Sequence, residues 1–201
     1  MIGIIDYKMG NSGSIMNMIK KLGQKSIITN SYKEIKDCQY LILPGVGSFD
    51  EGIKNLKKYN LFNLIIDIAN EHKIPIMGIC LGMQLLCKSS DEGTEKGLGL
   101  IDAEVLRFPN SEKLKIPHMG WNYIQKIKKN NLLNNLEDSS RFYFVHSYYV
   151  KCNNKNNILF KTNYGIEFDS AFISENIIGF QFHPEKSHKY GMNLFKKFAN
   201  Y

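Results

Sequence analysis

No apolar run in the 201-residue sequence approaches the ~20 residues needed to cross a bilayer; residues 61–69 and 74–79 come nearest, and polar side chains bound both. A membrane protein is therefore not expected. No secretory leader is expected either, because the first residues enter an apolar segment with no basic region and no small-residue cleavage site, and a cytoplasmic protein is the expectation. Cys38, Cys80, Cys87 and Cys152 are widely spaced and form no Cys-x-x-Cys pair, which argues against a disulfide framework and makes any special cysteine a candidate for catalysis. Histidines and cysteines do not cluster with ligand spacing, and the glycines at 45 and 47 lack the pattern of a phosphate loop. Neither a metal nor a cofactor is expected. The formal charge of +7 comes from 26 basic residues, nearly all lysine and dispersed among asparagines, with no aromatic-interleaved basic stripe. That pattern describes a solvated surface and not a nucleic-acid reader.

With 43% hydrophobic and 12% aromatic residues over this length, the chain can bury one substantial core, and residues 1–201 are read as one domain. Residues 1–5 form a short β-type run, residues 6–14 a loop rich in glycine and serine, and residues 15–22 a helical repeat. Further strands are expected at 26–28, 40–43 and 74–79, and helices at 53–56, 61–69 and 81–86. Alternation of strand and helix through residue 88 predicts right-handed βαβ units, hence an α/β fold with a mostly parallel central sheet flanked by helices. Beyond residue 98 the texture changes to short strands, expected at 103–107, 122–127, 142–150, 158–162, 172–173 and 177–182. These read as antiparallel additions, with a closing helix at 190–198. The Lys/Asn clusters at 126–131 and 153–157 read as exposed turns.

Gly78-Ile79-Cys80-Leu81-Gly82 places a cysteine between two glycines at a strand-to-helix junction. Such an elbow holds its central residue in a strained backbone conformation, and small neighbours two positions away avoid collision across the turn. The backbone N–H of Leu81, just past the cysteine, can donate to an oxyanion. An isolated intracellular cysteine is more often a small buried hydrophobe, and Cys87 fits that description; the glycine pair sets Cys80 apart. Downstream, Ile177-Ile178-Gly179-Phe180-Gln181-Phe182-His183-Pro184-Glu185 reads as a strand ending in His-x-Glu. A thiol nucleophile needs a histidine to take its proton and a carboxylate to fix the imidazole tautomer, and His183 and Glu185 can fill those roles. His72, His118, His146 and His188 lack such a carboxylate two residues on.

Gly78-Ile79-Cys80-Leu81-Gly82-Met83-Gln84 and Phe182-His183-Pro184-Glu185 resemble, in this order, the two signatures of class I glutamine amidotransferases. Further matches are Asp6-Tyr7, Gly10-Asn11, Pro44-Gly45-Val46-Gly47-Ser48-Phe49, Pro117-His118-Met119-Gly120-Trp121-Asn122 and Tyr143-Phe144-Val145-His146-Ser147-Tyr148. Within that family the Pro117 hexapeptide is similar to glutaminase subunits of imidazole glycerol phosphate synthase. The resemblance implies the class I amidotransferase fold. It also implies attack of Cys80 on the glutamine side-chain amide, proton shuttling by His183, orientation of His183 by Glu185, and an oxyanion hole from the N–H groups of Val46 and Leu81. By the same resemblance Gly47, Gln84, Ser147 and Tyr148 would grip the amino-acid end of glutamine. A separate (β/α)₈ cyclase subunit would receive the ammonia in a heterodimer, with Asn11, Met119, Trp121 and Lys186 near the interface, although Met119 and Trp121 also suit a core.

The family usually reads Asp-Tyr-Gly in the first loop, where this chain has Lys8 after Tyr7; the change removes conformational freedom and adds a cation near the expected docking face. An alternative remains open, a paralogous glutaminase feeding a sugar amidotransferase of surface polysaccharide biosynthesis. A non-catalytic binding module and a cysteine peptidase or hydratase are the rival classes. The intact Cys80, His183 and Glu185 set weighs against the first, and the His-Pro-Glu pairing against the second.

Overall fold

The computed structural model describes residues 1–110, 114–130, 136–137 and 139–201. The N-terminal part alternates strand and helix: β1 (Ile2–Ile5), α1 (Ser12–Lys21), β2 (Ser26–Thr29), α2 (Tyr32–Lys36), β3 (Tyr40–Leu43), α3 (Phe49–Lys58), α4 (Leu61–Asp67), β4 (Ile76–Ile79) and α5 (Leu81–Leu85). All four residues of β1 and of β4 are buried, the signature of strands covered on both faces, so their sequence is a continuous apolar run with no alternation. In α1 the Asn11 side chain accepts from the Ser14 N–H at 3.2 Å, and Ile15 and Ile19, one turn apart, face the sheet. In α3 the buried Phe49, Gly52, Ile53 and Leu56 follow helical spacing, while Asp50 and Glu51 in the first turn and Lys57 and Lys58 in the last complement the helix dipole.

After α5 come β5 (Ser89–Ser90), β6 (Ala103–Arg107), β7 (His118–Tyr123), β8 (Gln125–Lys126), β9 (Arg141–His146), β10 (Tyr148–Cys152), β11 (Ile158–Tyr164), β12 (Ile166–Ser174), β13 (Ile177–Phe180) and α6 (His188–Phe198). The large sheet runs β2-β1-β3-β4-β13-β12-β10-β6-β5, with β11 and β8 branching from β12. Strands β2, β1, β3, β4 and β13 are mutually parallel, and β12, β10, β6, β11 and β8 extend the sheet in antiparallel fashion. β7 and β9 form a separate antiparallel ribbon. Alternate strand residues feed two cores. Ile5, Leu41, Leu43 and Ile76 pack with Ile53, Leu56 and Leu85. Ile4, Ile42, Met77 and Ile79 pack with Ile15, Ile19, Phe195 and Phe198 on the opposite face. Each such side chain withdrawn from water contributes ~1.5–3 kcal/mol.

The expected α/β architecture, parallel centre and antiparallel addition all stand, while several local details differ. α2 was not anticipated. The strand expected at 122–127 starts at His118 and breaks at Ile124, and the one expected at 142–150 is two strands separated at Ser147. The 61–69 helix gives way to a wider π turn over Ile68–His72 that ends in the left-handed Lys73, φ 52°. Of the Lys/Asn clusters, Lys126 is paired in β8 with Phe160 of β11, and Asn131 lies outside the described residues.

Candidate active site

β4 delivers Cys80 to the C-terminal edge of the parallel sheet, and α5 begins one residue later. Cys80 has φ 54° and ψ −110°, a conformation that costs of order 1–3 kcal/mol and is retained only where the surroundings enforce it. They do. A Cβ on Gly82 would lie 1.8 Å from the Leu43 carbonyl oxygen, and one on Gly78 would lie 2.7 Å from the Gly82 oxygen. The Cys80 N–H is tied to the Phe180 carbonyl at 2.8 Å.

β13 runs parallel to β4 with Phe180 opposite Ile79, so the chain leaving β13 rises beside Cys80. His183 is anchored there by its N–H to the Tyr143 carbonyl at 2.9 Å. Pro184 then turns the backbone, and Glu185 returns its carboxylate to the ring: Nδ1 to Oε1 is 2.7 Å, with side-chain exposures of 1% and 3%. A carboxylate oxygen facing Nδ1 places the ring proton there and leaves Nε2 for the sulfur side. Nε2 and the second Glu185 oxygen are buried without a well-formed hydrogen bond. Burial alone would lower the His183 pKa, but contact with the Cys80 sulfur and the Glu185 carboxylate outweighs it and carries the value up to about 10.

A cavity of about 370 Å³ opens over Cys80 and His183. Its wall contains Val46, Gly47, Leu81, Gln84, Ser147 and Tyr148, so every residue expected to hold substrate or oxyanion borders one space, and Glu185 stands behind His183. Gly47 has φ 112°, a conformation that favours glycine, and a Cβ there would meet the Met9 methyl at 2.7 Å. The volume suits one amino acid. Among the described residues no group of three or more His, Cys, Asp or Glu is placed to hold a metal ion.

The four residues expected at a partner interface lie apart from this cavity. Met119 and Trp121 are 61% and 42% exposed, so neither is a core residue. They share the outer face of β7, where Trp121 stacks on His188 at 5.6 Å. Lys186 is exposed, its Nζ 5.9 Å from the centre of the Tyr143 ring, which in turn meets Trp121 edge-on. Asn11 caps α1, which packs against the Pro184–Lys186 turn.

Residues 3–200 match the family described as Glutamine amidotransferase class-I. The chain belongs to the class I glutamine amidotransferases. It is 57% identical over 198 residues, 98% of each chain, to the protein named imidazole glycerol phosphate synthase subunit HisH 2 of Methanococcus maripaludis. It is 46% identical over 199 residues, 99% of this chain and 98% of the other, to the protein of the same name from Pseudomonas aeruginosa. A solved structure of a glutamine amidotransferase from Thermotoga maritima superposes with a TM-score of 0.68 at 21% identity, over 99% of this chain and 82% of that one, which shows the shared fold.

Three features of this amidotransferase site escaped the sequence reading. Glu92 lines the cavity, accepts from the Phe49 N–H at 2.8 Å and is pushed up in pKa chiefly by burial; it lies in a charged loop with no motif to flag it. Gln181 is fully buried with its Nε2 3.9 Å from Cys80 Sγ. The strand expected at 177–182 ends at Phe180, so Gln181 lies in the segment that leads from β13 to His183. His118 and His146 form a buried pair, Nδ1 to Nε2 at 2.9 Å, across β7 and β9, a contact that only the tertiary pairing reveals.

Proposed function

We propose that this amidotransferase is the glutaminase subunit of an imidazole glycerol phosphate synthase, hydrolysing glutamine and passing ammonia to a (β/α)₈ cyclase partner in histidine biosynthesis. The observation that carries the reading is the buried Cys80, His183 and Glu185 set at the floor of an amino-acid-sized cavity. The names of relatives that align over nearly the whole chain support the pathway. The protein acts as a single domain in the cytoplasm, and no helix among the described residues is long and apolar enough to cross a membrane.

In this reading Cys80 has given its proton to His183 Nε2, as the raised His183 pKa favours, so the thiolate attacks the amide carbon of glutamine while the Nδ1–H to Glu185 bond steadies the imidazolium. The N–H groups of Leu81 and Val46 receive the oxyanion. His183 returns the proton to the leaving ammonia, and a water it then activates cleaves the thioester to glutamate. Both hydrogens on Gln84 Nε2 are already donated, to the Tyr148 carbonyl at 3.1 Å and to Gln181 Oε1 at 3.2 Å. Gln84 therefore meets substrate through its oxygen, an acceptor suited to the α-ammonium group, and Glu92 supplies the negative charge nearby. Gly47, Ser147 and Tyr148 close the remaining wall. Asn11, Met119, Trp121 and Lys186 present the face toward the cyclase.

Two observations favour keeping a second reading, a paralogue that feeds a sugar amidotransferase. The relatives from Methanococcus maripaludis and Pseudomonas aeruginosa carry the numeral 2 in their names. Lys8 replaces the usual glycine, yet the backbone keeps the left-handed conformation at φ 65° and the ammonium pairs with Asp6 at 2.7 Å, leaving a changed surface in that loop. Glutamate release measured with each (β/α)₈ cyclase homologue of the source genome decides between them. Stimulation by the histidine-pathway cyclase is expected; stimulation only by a polysaccharide-pathway homologue overturns the histidine assignment.

A further inference from the structure

We propose that Gln181 is a positioning residue that holds the Cys80 sulfur through a directed amide N–H, and that Gln84 sets the direction in which that amide faces. The inference rests on Cys80 being the nucleophile, and it adds to the hydrolysis a buried side-chain N–H donor for the sulfur.

The chain of contacts begins at a backbone carbonyl. Tyr148 O can only accept, and it receives His146 Nδ1–H at 2.8 Å and Gln84 Nε2–H at 3.1 Å. The Gln84 amide is thereby oriented with its nitrogen inward, and the second hydrogen on that nitrogen goes to Gln181 Oε1 at 3.2 Å. With its oxygen so engaged, Gln181 turns Nε2 toward Cys80 Sγ, 3.9 Å away. The reverse orientation would set two acceptors against one another at Tyr148 and an oxygen against the sulfur. His146 cannot loosen the arrangement, because its Nε2 accepts from His118 Nδ1 at 2.9 Å and His118 Nε2 accepts from Asn122 Nδ2 at 3.2 Å, which fixes one tautomer for each ring. Gln181 is fully buried and Gln84 is 5% exposed, so little water competes for these donors.

A second contact on the sulfur shows what the amide does. The Cys80 thiol donates to the Val145 carbonyl at 3.9 Å, a contact that favours the protonated sulfur. Once the proton passes to His183, the carbonyl oxygen repels the sulfur and the Gln181 N–H attracts it. Deprotonation therefore biases the nucleophile toward Gln181, and hydrogen bonds to a charged partner are the stronger kind.

The test is the pH profile of Cys80 alkylation by iodoacetamide, followed at the Cys80 peptide, for the unsubstituted chain, Gln181→Met, Gln181→Glu and Gln84→Met. Removing or reversing the donor is expected to make alkylation about tenfold slower on the acid limb of the profile while leaving the alkaline plateau unchanged. Gln84→Met shifts the profile in the same direction, and the double variant Q84M/Q181M shifts it no further than Q181M alone. An unshifted profile in a folded Gln181 variant, or additive shifts in the double variant, overturns the proposal. Should the variants fail to fold, the side-chain amide resonance of Gln181 in the unsubstituted protein must move with the same pH midpoint as Cys80 alkylation; a resonance that stays flat through that midpoint overturns it equally. Failure here is distinct from failure of the nucleophile assignment, which Cys80→Ala tests through glutamate release.

Discussion

At the scale of single residues, the site depends on which atom carries which proton. In the proposed mechanism Glu185 holds the His183 Nδ1 proton across 2.7 Å, so Nε2 is the nitrogen that exchanges a proton with Cys80 and the leaving ammonia. Glu185→Gln keeps the volume but can present an amide N–H to Nδ1 and drive the proton to Nε2. Partner-stimulated kcat is expected to fall by roughly 10²–10⁴-fold with KM little changed. A loss confined to KM would show that Glu185 serves binding and not the base. The proposed roles could be read before any fold was known, because the elbow glycines and the His-x-Glu spacing are local. Glu92 was not legible, since nothing in its neighbouring sequence points at Cys80 and only the fold brings it to the cavity.

At the scale of elements, the parallel strands and the larger helices could be read from apolar runs and helical spacing, and the failures share a physical cause. α2 is five residues long with Ile35 as its sole buried side chain, too short to display a period. β7 hides because its large apolar residues Met119, Trp121 and Tyr123 point outward while His118 points in. β9 and β10 read as one strand because a single serine, Ser147, marks the break and residues of β type continue directly on both sides.

Two predictions belong at this scale. Gly82→Ala sets a Cβ 1.8 Å from the Leu43 oxygen, and backbone must move to accept it; a stability loss of roughly 2–4 kcal/mol by denaturant unfolding is expected. An unchanged midpoint would mean the elbow is not tightly packed against β3. The His118 and His146 pair couples the β7–β9 ribbon to pH. Burial lowers their pKa values from 6.5 to about 4 and about 3. The unfolded chain then takes up protons first, so the stability these rings contribute is whole above pH 6.5 and is lost as pH falls toward those values. His183 has the opposite sign: its contribution is whole below 6.5 and is lost as pH rises through about 10. Unfolding free energy measured on the acid side should decline less steeply in His146→Gln than in the unsubstituted chain, and equal slopes would contradict the neutral pair.

At the scale of the whole molecule, two cores on either face of one sheet hold β4 and β13 in a register that sets Cys80 beside His183. Most of that order was legible in the alternation of strand and helix. The order β2-β1-β3-β4-β13 was not, since nothing local announces that the last strand inserts next to β4. That insertion joins residues a hundred positions apart into one site, and the exposed Met119 and Trp121 lie apart from it. The most direct test of the account is glutamate release from glutamine by the partner-stimulated chain, compared with Cys80→Ala under the same conditions. The account predicts turnover in the first and its loss in the second; full turnover by Cys80→Ala would contradict it.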